Sequence, residues 1–132
     1  MPIDTWIDTS DHRIHAVLTG SVTLDEMIQA IDSSIEDSSF RKGIDILSDH
    51  TGLEKPIETD EAKRLAVHLQ RLRDCFEGSR WAVVTKMPAS FGMMRMLSVF
   101  LEKVPMHLRV FYSFAEAERW LKRPEEGGSA EP

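Results

Sequence analysis

The chain has 132 residues, 42% of them apolar and 29% charged, with a formal charge of −6 and one cysteine. That length suits one domain with a core needing no staples, and the acidic balance argues against sequence-independent nucleic-acid binding, which requires a basic surface. Cys75 has no partner for an internal disulfide, no apolar run approaches the ~20 residues that span a bilayer, and "MPIDTWIDTSD" is no secretory signal.

A single cytoplasmic domain is therefore predicted, and its elements follow in chain order. "TWIDTS" (5–10) and "RIHAVLTG" (13–20) are rich in β-formers and joined by the polar "DH", which suits a hairpin. In the second strand Ile14, Ala16 and Leu18 share one face, with His15 and Val17 on the other. Thr23 and Glu26 form a capping box, so the first helix starts there. Leu24, Met27, Ile28, Ile31 and Ile35 fall on one stripe of it.

"GIDILSD" (43–49) reads as strand three, followed by the loop "HTGLEKPIE" with Gly52 and Pro56 as breakers. A second helix is expected from about Asp60 to Phe76, with Thr59 as N-cap and Ala62, Leu65, Ala66, Leu69, Leu72 and Phe76 inward. "RWAVVTK" (80–86) is the fourth strand. The turn "MPAS" leads into helix three, with Ser90 as N-cap and an apolar arc of Met93, Met96, Leu97, Phe100, Leu101 and Val104, widened by Met94. "HLRVFY" (107–112) is the fifth strand. Ser113 with Glu116 opens the last helix, which turns Phe114, Ala117, Trp120 and Leu121 inward.

Residues 123–132 carry no apolar side chain larger than alanine and are predicted to be a disordered tail, leaving 1–122 as the domain. The order ββαβαβαβα predicts an α/β fold: a five-stranded, mostly parallel sheet with an opening hairpin and four helices.

Four phrases carry a family likeness: "VLTGSVTLDEM" (17–27), "GIDILSDHTGL" (43–53), "VVTKMPASFGMMRML" (83–97) and "VFYSFAEAERWL" (110–121). In this order they resemble the STAS-type fold of bacterial anti-sigma-factor antagonists, and more closely the small bacterial STAS-like proteins of unassigned activity. The resemblance implies strands in roughly sequential order, helices mainly on one side, and a module that acts through protein contacts. The same architecture class includes the lipid-carrying CRAL-TRIO domains, which implies a small apolar ligand as the alternative. Anti-sigma antagonists carry a phosphorylatable serine in a "DSSG"-like turn at the start of the second helix. Here the stretch is "SDHTGLEKPIETDEA", without that motif, and it leaves Ser48, Thr51 and Thr59 as candidate phosphorylation sites. The "DSS" at Asp32–Ser34 lies inside the first helix and is not the switch.

Ligands favour the carboxyl ends of parallel strands. Those ends offer Asp49, His50 and Thr51 from strand three, and Thr85 and Lys86 from strand four. The first turn of helix three adds Ser90, Phe91 and Gly92, with Arg95 leaning back toward them, a set suited to a small anion or carboxylate. The plainer reading is that Arg95 pairs with Asp49 and orders the loop. Gly92 is expected to permit close packing, since glycine otherwise costs ~1 kcal/mol inside a helix.

No "HExxH", "CxxC" or repeated carboxylate motif appears, so neither a metal nor a cofactor is predicted. Asp49 and His50 as acid and base would make an enzyme, the third reading, although neighbours on a strand point apart. Cys75 reads as a packing residue. If helices cover one side of the sheet only, the other side suits a homodimer.

Overall fold

A computed structural model of the chain describes residues 2–122, so the expected tail at 123–132 lies outside the described residues. Within them the elements run β1 (Ile3–Asp8), β2 (Arg13–Gly20), α1 (Leu24–Glu36), β3 (Asp45–Leu53), α2 (Thr59–Arg71), β4 (Arg80–Val84), α3 (Pro88–Phe100), β5 (His107–Phe111) and α4 (Phe114–Leu121). The sheet order is β1-β2-β3-β4-β5, with β1 antiparallel to β2 and every other pair parallel. This is the α/β architecture the sequence predicts.

The hairpin forms because its short polar loop caps itself. Asp8 Oδ1 accepts from the Ser10 N–H (2.8 Å) and hydroxyl (2.6 Å), and Asp11 Oδ1 accepts from the Arg13 N–H (3.1 Å). From β2 onward each crossover steps to the neighbouring strand through one helix, and crossovers of a single hand put those helices on one face. There Met27, Leu65, Leu69, Met94 and Leu97 of α1, α2 and α3 pack on Ile14, Trp81 and Val83 of the sheet. The opposite face is covered in part by α4, whose Ala117 and Leu121 meet Leu47, Ala82, Val84 and Phe111. Buried Arg13 reaches across to α4, donating to Glu118 Oε1 at 2.7 Å.

Several boundaries differ from the sequence reading. β3 continues through His50–Leu53, where a loop is expected, because β2 is long enough to pair with Gly52 and Leu53 beyond a register shift. Gly52 fits that close approach: a Cβ there would lie 3.0 Å from Thr19 Cγ2. Helix α2 is capped by Glu58 rather than Thr59, with the Glu61 carboxylate accepting from the Glu58 N–H at 2.9 Å. It ends at Arg71, and residues to Phe76 continue as tight turns with bonds such as Cys75 N–H to Leu72 O (2.9 Å).

Helix α3 is capped at Met87, not Ser90, because Pro88 takes the first helical position, where its fixed φ suits the helix and its missing N–H costs nothing. Ser113 caps α4 as expected, accepting from the Glu116 N–H. Phe114 and Met96, both expected inward, are exposed instead (44% and 40%). No described helix is long and apolar enough to cross a membrane.

Candidate functional site

Alternation along β3 sorts its polar residues onto two faces. Leu47 and Asp49 point to the α4 side, whereas Ser48 and His50 point into the space beneath α1, α2 and α3. Parallel pairing sets Ile46 opposite Trp81, which brings the indole beside Ser48. Trp81 Nε1–H donates to Ser48 Oγ at 2.9 Å, and that oxygen lies 3.0 Å from His50 Nε2. Trp81, Ser48 and His50 therefore form a buried hydrogen-bonded chain.

This chain lines one side of a partly open cavity of about 90 Å³ between the sheet and the helices. The rest of the wall is nearly all apolar: Ile14 and Leu18 from β2, Met27 and Ile31 from α1, Leu65 and Leu69 from α2, Met94 from α3. Ser34 also faces it but spends its hydroxyl on Ala30 O at 2.9 Å. Burial pushes His50 down from its ordinary value of 6.5 to about 4, against the opposing effect of Asp49. The ring is thus neutral at pH 7. Among the described residues its Nδ1 has no hydrogen-bond partner. A neutral imidazole on the wall of an apolar chamber can hold a single hydroxyl or carbonyl through a ring nitrogen; a free charge there is opposed by desolvation.

The other residues singled out from the sequence gather around the strand ends but not as one ligand shell. Asp49 Oδ1 accepts from the Thr51 N–H (2.9 Å) and hydroxyl (2.6 Å). Buried Thr85 accepts from the Met87 N–H at 3.2 Å, and Lys86 is exposed beside it. Ser90 is buried, with its hydroxyl 3.7 Å from Met87 Sδ.

Phe91 stacks on Tyr112 with centroids 4.6 Å apart. Arg95 is exposed and belongs to none of the ion pairs among the described residues, so the expected link to Asp49 is not made. The reason is strand alternation: Asp49 projects on the α4 face and α3 packs on the other. The same alternation parts Asp49 from His50. Gly92 is exposed, and a Cβ there would meet nothing within 4 Å, so close packing does not explain it. Of the three hydroxyls considered for phosphorylation, Ser48 is buried, Thr51 is half-buried and Thr59 is exposed.

The cavity escaped the sequence reading because its polar corner joins positions 33 apart, Ser48 and Trp81. The available signal was a serine and a histidine at i and i+2 in a strand flanked by apolar residues. Asp8, Asp11 and His15 also converge at the hairpin, their ligand-type atoms within 4.8 Å of one another. Internal bonds account for that cluster, since Asp11 Oδ2 lies 2.9 Å from His15 Nε2 and 3.8 Å from Arg13.

No protein-family model and no curated protein matches the chain. Among solved structures it is similar to an uncharacterized protein from the DUF3478 family with a SpoIIAA-like fold, from Shewanella loihica PV-4. The two are 18% identical with a TM-score of 0.62, covering 90% of this chain and 93% of that one. Sequential strand order, the opening hairpin and that likeness together give this chain a SpoIIAA-like, STAS-like fold.

Proposed function

We propose that the protein is a non-enzymatic STAS-like binding module whose cavity holds a small, uncharged, largely apolar molecule, with His50 meeting its one polar group. The observation that carries this reading is the buried neutral His50 on the wall of an otherwise apolar chamber. An occupant of matching shape gains contacts with this apolar wall and so stabilises the fold. Scaled against the ~150 Å³ cavity that takes benzene, the space suits a molecule or chain end of roughly four non-hydrogen atoms.

Titration with short-chain alcohols and ketones, followed by methyl NMR of Met27 and Met94, tests it. Saturable shifts at those methyls are expected, and Ala30→Leu, which fills the chamber from α1, should abolish them. Shifts that persist in Ala30→Leu, or their absence from the native protein, would remove the cavity from consideration.

A homodimer is the second reading, and one surface favours it. Trp6 is 48% exposed and stacked on His15 at 5.4 Å, on the hairpin's outward face, while α4 lies over β4 and β5. Light scattering should then give a mass that falls from dimer to monomer in Trp6→Ser; a native protein that stays monomeric at all concentrations would end this reading.

A further inference from the structure

Among the described residues the last strand has neighbours on both faces but on one edge only. β5 closes the sheet, α3 packs on one of its faces and α4 on the other. Its pairing with β4 shows which backbone groups remain. The His107 N–H donates to Ser79 O (2.8 Å) and Phe111 O accepts from the Thr85 N–H (3.0 Å), so the odd-numbered residues bond inward. Parallel ladders alternate, and the N–H and C=O of Leu108 and Val110 therefore point out along the free edge. Unpaired edges of this kind are templates for another strand.

The side chains beside this edge have a marked chemistry. An open groove of about 820 Å³ takes in Val110 from one face of β5, Arg109 and Phe111 from the other, and Trp120 of α4. The Arg109 guanidinium carbon sits 5.3 Å from the Phe111 ring centre and 5.7 Å from that of Trp120. Stacking holds its plane and leaves its N–H groups for an acceptor, and a guanidinium pairs carboxylates two bonds at a time. Arg119 and Lys122 stand in the same groove with one carboxylate, Glu116. Among the described residues none of these three cations takes part in an ion pair. On a chain of net charge −6 this is a local reversal of sign.

We propose that the free edge of β5 receives an extended acidic peptide segment of a protein partner, which adds a strand beside Leu108 and Val110 and sets its carboxylates on Arg109 and Arg119. Main-chain bonds supply the register and the cations select acidic over basic sequence. The groove runs open along the strand, which fits a chain passing through.

The test uses the full chain, ¹⁵N-labelled, and two short synthetic peptides, one alternating glutamate with valine and one lysine with valine. The glutamate peptide is expected to slow hydrogen exchange at the Leu108 and Val110 amides, and its affinity should fall roughly tenfold in Arg109→Glu and also decline with added salt. Arg119→Glu should weaken it independently; both arginines are exposed, and an unchanged amide spectrum elsewhere confirms the variants' fold. Equal binding of the lysine peptide, full affinity in both variants, no binding at all, or exchange slowed at other strands would each overturn the proposal. So would concentration-dependent protection of Leu108 and Val110 without peptide, which would make a second copy the occupant.

Discussion

His50 keeps an ionisable ring buried against apolar side chains, and that placement has a measurable pH signature. Its value is near 4 in the folded protein and near 6.5 when unfolded, so between those pH values the unfolded chain holds more protons. Stability from this group is therefore complete above pH 6.5 and is lost as pH falls toward 4, by about 3 kcal/mol in all. Denaturant unfolding of the native protein and of His50→Gln across that range should give curves whose separation shrinks on acidification. Parallel curves would mean that the ring titrates normally. The sequence already put His50 among the candidate site residues, but for a site at the sheet's rim. Which way a strand residue faces depends on which face the helices cover, and β3 is covered on both, so its apolar pattern does not mark inside from outside.

Among the elements, the starts of α1 and α4 were plain from sequence because Thr23 and Ser113 each have a glutamate three residues on. The starts of α2 and α3 were not, since Glu58 and Met87 are unusual caps and the nearby threonine and serine fall inside the first turn. Helix α4 is short and lies over three strands, and its ion pair to the rest, among the described residues, is Glu118 on buried Arg13. Removing that carboxylate leaves a buried guanidinium with Asp11 at 3.8 Å as its remaining acid. Glu118 is 40% exposed, which reduces the effect, and Glu118→Ala is expected to lower unfolding free energy by about 1 to 2 kcal/mol. Chemical denaturation measures it. A change below a few tenths would show that α4 is held by its apolar contacts and not by this ion pair.

For the molecule as a whole, strand alternation with helices and the polar hairpin loop were enough to predict the layered α/β sheet and its element order. The cavity and the β5 groove were not readable, because each arises between elements and depends on register. Trp81 reaches Ser48 only when β4 lies beside β3 with Ile46 opposite the indole. Strand order that follows chain order has one more consequence. During synthesis, every strand leaving the ribosome finds its neighbour already made, so assembly can proceed from the first hairpin forward with no gap held open for later residues. The price of that orderly growth is an outermost strand that nothing later in the described chain arrives to pair.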